Sequence, residues 1–555
     1  MKKVLIANRG EIAVRIIRAC RDAGLSPIAI ASDADRTALH ARLADEVHRL
    51  KGTSPIETYL NQAAILDIAR QAGADAVHPG YGLLSENESF AAAVTASDLI
   101  WIGPSADAIA RLGDKVAARA IARRVGAPLL PSLDDGALTL DTARQFIAAH
   151  GLPVIVKAQN GGGGRGMRIV RHESELPSQL AAAEREAQIA FGRPECFIER
   201  YLENARHIET QCLADRHGHV LIVSTRDCTL QRRQQKIIEE APAPFLTTIH
   251  NERLAAASTA ILQDVGYCGA ATCEFLLTAE GDIFFLEVNT RIQVEHPVTE
   301  EIAGFDLIRE MFRIAMGEHL PSTAPRLRGH AVEFRINAED PYSDFRPRPG
   351  RISRLALPGG PGVRLDFGYE AGDTVPPYYD SLIGKIIVHG RDRIEALTRA
   401  RRALGEFQIE GVATLAPLHR AILSQKEFAS GDAAGFAVHT RWIDEHIDAL
   451  SDAAAAMDRS RGRIATLPGT SDAEMSSAFD DPPAYRIGIK APLAGTVLEL
   501  CVCEGQNIAP GDLVAVMESM KMEQSILAET AGVVARINVA PGAFIDADAD
   551  LVGLD

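Results

Sequence analysis

A single lysine near the end of the chain sits in a setting that few folds supply. Met517-Glu518-Ser519-Met520-Lys521-Met522-Glu523 places it between two methionines, with apolar residues from Leu513 to Met517 and at Ile526-Leu527. The sequence around it occurs twice. Ala494-Gly495-Thr496-Val497 returns 37 residues later as Ala531-Gly532-Val533-Val534, and Leu500, Val502, Gly505 and Ile508 return as Ile537, Val539, Gly542 and Ile545. Two half-domains of short alternating strands and glycine turns predict a flattened all-β sandwich with pseudo-twofold symmetry over residues 485–555. Lys521 falls at the join of the halves, where a hairpin holds its ammonium in water. An ordinary exposed lysine on a turn is the alternative; the flanking methionines and the related halves favour a lysine with a chemical task.

The rest of the chain is long. With 555 residues it holds three or four domains with ample core. A net charge of -16 argues against generic nucleic-acid binding and against attraction to anionic membranes, so neither is an expected partner. An anionic substrate has to be held by a local basic cluster. The eight cysteines are scattered without a CxxC pair, and Cys501 and Cys503 alternate along an expected strand, which suits neither zinc nor a bridge between them. A reduced, cytoplasmic compartment is expected. The apolar run Val4 to Ala7 stops at Asn8-Arg9, too short for a signal peptide, and no segment is expected to span a membrane.

Strands at Lys3 to Ala7, Ile28 to Ala31, Ala76-Val77 and Leu99 to Ile102 are expected to alternate with helices at Glu11 to Ala23 and Phe90 to Ala96. The pattern predicts a doubly wound α/β domain to about residue 112. Its loop His78-Pro79-Gly80-Tyr81-Gly82 follows a strand at the end where open sheets present ligand-contacting residues; a plain Pro-Gly turn is the alternative. Farther on, strands Pro153 to Lys157 and Arg168 to Val170 flank Gly161 to Gly164, Arg165, Gly166 and Met167. A run of glycines lets backbone amides close on phosphate oxygens, and Arg165 adds charge; a flexible linker is the alternative. No Gly-Lys-Ser/Thr follows, so the run is not a P-loop.

Strands Ala271 to Leu277 and Ile283 to Asn289 surround a turn at Glu280-Gly281, which sets Glu274 opposite Glu287. Facing carboxylates repel unless something cationic lies between them. Asn289 follows on the same face, and two carboxylates with an amide oxygen suit hard Mg2+ bridging nucleotide phosphates, not zinc. The alternation continues through Arg291, Gln293 and Glu295, with Ile292 and Val294 between, so the strand is expected to persist to Glu295 before His296-Pro297 ends it. A solvated strand face is the alternative, but the run Ile283-Phe284-Phe285-Leu286 points to a central strand, where polar groups need a ligand.

With these segments in view, residues 1–447 resemble the biotin carboxylase component of biotin-dependent carboxylases, an ATP-grasp enzyme. The matching stretches are Ala7-Asn8-Arg9-Gly10-Glu11-Ile12, His78 to Gly82, Ser85-Glu86-Asn87, Gly113-Asp114-Lys115, Glu199 to Glu209, Arg226-Asp227-Cys228, Glu239 to Pro242, Glu287 to Thr299, Glu333 to Pro341 and Pro376 to Gly384. The Met-Lys-Met stretch resembles the biotinyl domain of the same enzymes; lipoyl domains share that fold but usually lack the methionines. The resemblance implies a Rossmann-like N-terminal domain over 1–112 and an ATP-grasp domain over 113–324 with a glycine-rich lid at about 131–203. A C-terminal carboxylase domain would cover 325–447 and the biotinyl domain 485–555. It also implies roles. Lys115, Lys157, Gly162, Gly163, Gly164, Arg165, Gly166, Met167, Glu199, His207, Gln231 and Gln234 would bind ATP. Glu274, Glu287 and Asn289 would hold Mg2+ or Mn2+. Arg291, Gln293, Val294 and Tyr81 would line the bicarbonate and biotin sites. Glu295 would deprotonate bicarbonate, Lys236 would neutralise charge, Arg335 would stabilise the biotin enolate, and Lys521 would carry covalent biotin. Gln234 departs from the family, which commonly has His there; an amide still hydrogen-bonds but cannot become charged.

Residues 448–484 shift to Ala, Ser, Asp, Gly and Pro and read as a linker where larger relatives carry a folded docking domain. The expected reaction is ATP- and bicarbonate-dependent carboxylation of biotin on the chain's own carrier domain. A separate carboxyltransferase subunit would then pass the carboxyl group to an acyl-CoA, or alternatively to pyruvate or another 2-oxo acid. Biotin protein ligase is a further expected partner, and a homo-oligomer through the carboxylase domain is expected. A different ATP-grasp ligase with a lipoyl-like arm and a catalytically dead carrier that only docks partners remain as rivals.

Overall fold

Three consecutive aliphatic residues, Val4, Leu5 and Ile6, are excluded from water and make β1 (Lys3–Ile6) the middle of a parallel sheet. The computed structural model describes residues 1–134, 138–159, 167–191, 193–461, 487–519 and 522–555. With β2 (Ser26–Ala31), β3 (Glu46–Arg49), β4 (Ala76–His78) and β5 (Ile100–Trp101), β1 forms a five-stranded sheet in the order β3-β2-β1-β4-β5. The helix Gly10–Asp22 covers it with Ile12, Ala13, Ile16, Ile17 and Cys20. Asn8 Nδ2 donates to the carbonyls of Pro79 (2.6 Å) and Tyr81 (2.8 Å), which ties the start of this helix to the loop after β4.

A small antiparallel sheet follows, from β6 (Ser132–Leu133), β7 (Val154–Ala158), β8 (Met167–Val170) and β9 (Cys196–Arg200), ordered β6-β9-β7-β8. The glycine run between β7 and β8, residues 161–166 with Arg165, lies outside the described residues.

The functional residues stand on an eight-stranded antiparallel sheet. Its strands are β10 (Arg206–Ala214), β11 (Val220–Arg232), β12 (Gln235–Ala241), β13 (Gly269–Leu277), β14 (Ile283–Asn289), β15 (His330–Asn337) and the strands Leu382–Gly390 and Val363–Phe367. Their order is β14-β13-β10-β11-β12-β15 followed by those last two. β12 pairs directly with β15, so the sheet runs unbroken past residue 324. Gly368 lets this half reach the N-terminal domain: a Cβ there would lie 2.5 Å from the Glu11 amide nitrogen.

The structure corrects two expectations. β14 ends at Asn289, not Glu295, because the following residues have no ladder partner; the segment turns instead into the helix His296–Ala303. The linker expected from Asp448 is corrected over 448–461, where the helix Trp442–Arg461 runs on. Leu450 and Ala454, four residues apart, bury one helical stripe among alanines that carry little periodic signal by composition alone. Residues 462–486 lie outside the described residues.

The C-terminal domain is a sandwich of two four-stranded sheets around Val497, Val514, Met517, Ile526, Val534, Leu551 and Val552. The 37-residue repeat reappears as geometry. Strand Gly495–Leu500 corresponds to Gly532–Ile537, and Asn507–Ile508 to Phe544–Ile545. Each long strand pairs with the short strand of the other repeat: Gly495–Leu500 with Phe544–Ile545, and Asn507–Ile508 with Gly532–Ile537. The strands Leu513–Ser519 and Met522–Leu527 pair up to Ser519 opposite Met522; Met520 and Lys521, in the join, lie outside the described residues.

Candidate active site

One row of side chains crosses four strands of the large sheet. Arg226 on β11 pairs in register with Glu209 on β10, Glu209 with Glu274 on β13, and Glu274 with Glu287 on β14. Directly opposed residues share a face, so three carboxylates stand side by side and need cations among them. Arg226 Nε donates to Glu209 Oε1 (2.5 Å), and Lys236 Nζ bridges Glu209 Oε2 (2.6 Å) and Glu274 Oε1 (2.9 Å). His207 Nε2 lies 2.9 Å from Glu274 Oε2. Burial opposes ionisation of Glu274, but Lys236 and His207 outweigh it and hold the carboxyl well below its ordinary range.

Glu287, at the open end of the row, is served less well. The Lys115 ammonium stands 3.9 Å away. Burial pushes Glu287 up, Lys115 draws it down and the charge of Glu274 adds to the rise, leaving it above its ordinary value. Asn289 Nδ2 donates to Glu274 Oε1 (2.9 Å), and its Oδ1 accepts from Arg291 Nη2 (3.0 Å). Glu274, Glu287 and Asn289 thus bring three oxygen donors together, and of these Glu287 is the one short of positive charge, which fits a hard divalent cation such as Mg2+ at that end of the row. His207, Glu209 and Glu274 also lie within ligand reach of one another, but the Lys236 ammonium already occupies the space between the two carboxylates.

A second centre adjoins the row. Glu295 is the N-cap residue of the helix His296–Ala303, yet its side chain makes no cap hydrogen bond. Its Oε1 accepts from Lys236 Nζ (2.7 Å) and its Oε2 from Arg335 Nη2 (3.1 Å). Burial resists the charge; Lys236, Arg335 and Arg226 overcome it and keep Glu295 ionised far below the ordinary carboxylate range. Lys236 joins the two centres, and Gln293 braces the row, donating to Glu274 Oε1 (3.0 Å) and accepting from Arg226 Nη2 (3.0 Å). Arg291 is aimed by Glu86, at 2.9 Å. The Val294 carbonyl accepts from Lys385 Nζ (2.7 Å); Lys385 pairs with Glu11 Oε1 (3.0 Å), and the Tyr81 hydroxyl donates to Glu11 Oε2 (2.5 Å). Tyr81 therefore reaches the centre through two intermediaries.

Lys157 on β7 donates to Glu199 Oε1 (2.6 Å), and the other oxygen of Glu199 takes Arg119. Met167 stands opposite Lys157 on β8. Gln231 is buried opposite Lys236, whereas Gln234 sits exposed in the β11–β12 turn at a φ of 65°. Arg165, Gly162, Gly163, Gly164, Gly166 and Lys521 fall outside the described residues. Sequence reasoning gave no role to Glu209, Arg226, Glu86, Arg119, Glu239, Glu333 or Lys385. His207, Glu209 and Gln211 alternate on one strand, and that period of two was the available signal for Glu209.

The arrangement supplies an oxygen-only cation site beside two lysines, and an ionised carboxylate held between two cations. Comparison with known proteins agrees with this chemistry. The chain matches the biotin carboxylase N-terminal domain over 1–109, the carbamoyl-phosphate synthase L chain ATP binding domain over 114–323, the biotin carboxylase C-terminal domain over 333–445 and the biotin-requiring enzyme model over 488–554. It is 45% identical to the biotin-dependent acyl-coenzyme A carboxylase alpha3 subunit of Mycobacterium leprae, over 98% of this chain and 97% of that one. It is 43% identical to the 2-oxoglutarate carboxylase small subunit of Hydrogenobacter thermophilus over 80% of this chain and 93% of that one. Among solved structures, the biotin carboxylase domain dimer of the same organism's 2-oxoglutarate carboxylase, in complex with MgADP, ADP and bicarbonate, superposes with a TM-score of 0.78 at 42% identity. That match covers 81% of this chain and 98% of that one.

Proposed function

Because this chain belongs to the biotin carboxylases that carry a C-terminal biotinyl domain, we infer that its residues divide the ATP-dependent carboxylation of biotin among them as follows. Glu274, Glu287 and Asn289 hold Mg2+, which when bound neutralises nucleotide phosphate charge. Lys115 and Lys157 add positive charge on the nucleotide side, and the backbone amides of the glycine run 161–166 are assigned to the nucleotide phosphates. Arg291, Gln293 and the Val294 backbone line the bicarbonate position. Glu295 accepts the bicarbonate proton, which readies a bicarbonate oxygen to attack the terminal phosphorus of ATP. Lys236 holds Glu295 in place, and Arg335 offers positive charge where negative charge develops during transfer to biotin. Lys521 carries the biotin.

The observation that carries this reading is the Lys236–Glu295–Arg335 centre set directly beside the Glu274–Glu287 pair. Acyl-CoA is the acceptor we favour, served by a separate carboxyltransferase protein. The relative that aligns along the biotinyl domain as well carries an acyl-CoA carboxylase name, whereas the relative named for 2-oxoglutarate matches over 80% of this chain. Biotin protein ligase would load Lys521, and self-association through the carboxylase part is proposed.

Glu287→Gln tests the core of the reading. It leaves the cation with one anionic oxygen fewer, so bicarbonate-dependent ATP cleavage should fall at least ~10-fold, about 1.4 kcal/mol of barrier. Raising Mg2+ should recover part of the loss. Near-normal cleavage at limiting Mg2+ would show that Glu287 is not a ligand.

A further inference from the structure

Glu239 on β12 and Glu333 on β15 are partners across the antiparallel ladder, and each is 0% exposed. Residues so paired carry their Cβ atoms about 4.5–5.5 Å apart on one face, which brings two carboxyl groups into one dry space. Glu239 Oε1 accepts from Arg335 Nε at 2.5 Å. Its Oε2 and both oxygens of Glu333 have no hydrogen-bond partner among the described residues. A buried ionised carboxylate without a donor costs several kcal/mol. A proton on one of these groups turns an orphaned acceptor into a donor for the other.

Among the described residues no neighbour donates to these oxygens: Lys236, on the same strand as Glu239, gives its ammonium to Glu209, Glu274 and Glu295. Lys385, on the strand Leu382–Gly390, pairs with Arg335 and lies diagonally from Glu333, which pairs with Ile387, but its ammonium is engaged by the Val294 carbonyl and Glu11. Arg335, on β15 itself, is shared between Glu239 and Glu295. His296, on the helix packed over this face, is buried, and burial with nearby Lys385, Arg15 and Arg364 keeps it neutral. Asp366 is paired with Arg364. For both carboxyls burial is the leading upward influence; Lys385 for Glu333 and Arg335 for Glu239 pull down without cancelling it.

We propose that Glu239 and Glu333 hold one proton between them at neutral pH, which makes Glu333 a positioning residue for Arg335. The inference rests on the reading of Arg335 as the cation facing the reacting biotin. With the proton in place, Glu333 holds Glu239 through Oε2 while Oε1 aims the guanidinium. The pair then sets one negative charge, not two, against Arg335, so the guanidinium keeps its attraction for the anion forming beside it.

Infrared difference spectroscopy of the full-length biotinylated protein, wild type minus Glu333→Gln at neutral pH, should show the carbonyl band of one buried carboxylic acid. Biotin-dependent ATP cleavage by the wild type should fall at alkaline pH with an apparent pKa belonging to the pair. In Glu333→Gln the amide still donates to Glu239 but cannot ionise, so the neutral-pH rate should stay within about 3-fold of wild type, roughly 0.6 kcal/mol, while the alkaline fall disappears. Glu333→Leu, with no donor, should lose ~10-fold at neutral pH. An empty difference spectrum, or a Glu333→Gln profile that superposes on wild type, would overturn the proposal. If Glu333→Gln does not fold, Glu239→Gln reports on the same band. Failure of the wild type to cleave ATP with bicarbonate would instead count against the catalytic reading, with the infrared result still deciding the shared proton.

Discussion

Glu295 meets two demands that pull apart. Its cationic neighbours hold it far below the ordinary carboxylate range, so it is ionised near neutral pH, yet the same neighbours make it a weak base while they all bear on it. Under the proposed role, an anion entering beside Lys236 and Arg335 would compete for those donors and return basicity to the carboxylate. Glu295→Ala should therefore bind ATP about as well as wild type, because Lys115, Lys157 and the Mg2+ set stand on other segments. It should still lose ~100-fold or more of bicarbonate-dependent ATP cleavage and labelled-bicarbonate fixation. A carboxylate needed only for packing would lower thermal stability and reduce binding and turnover in proportion; nucleotide titration and melting on the same variant separate the two. At this scale the facing of Glu274 and Glu287 was expected from the turn, but the rungs beside the turn, Leu277 with Ile283 and Phe275 with Phe285, lie one residue off that register. A bulge between Glu274 and Phe275, which the sequence did not announce, brings the two carboxylates opposite. Arg226 was not legible. A wholly buried arginine on a thirteen-residue strand is identified by the carboxylate and amide partners that other segments bring to it, and no local spacing encodes those.

Elements differ in how much of their geometry is local. The β13–β14 hairpin was readable because its turn and apolar run lie within one short segment. The end of β14 was not, since alternating polar residues from Arg291 to Glu295 imitate a strand that has no partner to pair with. Contacts from afar decide that stretch: Glu86 accepts from the Thr290 amide (3.2 Å) and from Arg291 Nε (2.9 Å). The helix Arg393–Glu406 is tied to the sheet in a similar way. Glu240 on β12 accepts from Arg393 Nε (2.6 Å), Arg393 Nη2 (3.0 Å) and His330 Nε2 (2.7 Å). Burial resists its charge, but Arg393 and His330 prevail and bring it from 4.5 down to about 2. A depressed carboxyl contributes stability that is complete above its unfolded value and is lost as pH falls through its folded value. Glu240→Gln should thus be less stable than wild type by about 3 kcal/mol near pH 6, with the gap closing as pH falls from 4.5 toward 2. Urea midpoints measured across that range check it. A gap independent of pH would mean that lost hydrogen bonds, and not the charge, set the cost.

At the scale of the whole molecule, the carrier domain was the most legible part and the helix Trp442–Arg461 among the least. A repeat of fixed offset announces two-fold geometry whatever the composition, and here each half completes its sheet with a strand of the other. An alanine-rich helix that packs through a few residues, such as Leu450 and Ala454, leaves a faint pattern by comparison. The symmetry matters for function because the two halves are joined by the segment that holds Lys521, and other lysines lack both the flanking methionines and that place. Lys521→Arg keeps the positive charge, but its delocalised guanidinium cannot take biotin in an amide bond. The sandwich core, built from Val497, Met517, Val534 and Leu551, is untouched by the change. The variant should fold with an unchanged melting curve, lose all streptavidin signal, and fail to pass carboxyl groups to a carboxyltransferase. Carboxylation of free biotin by the same preparation should persist at the wild-type rate, since Glu295, Arg335 and the cation site remain whole. A lasting streptavidin signal would place the biotin elsewhere, and loss of free-biotin carboxylation would show that the carrier domain also contributes to the carboxylase site.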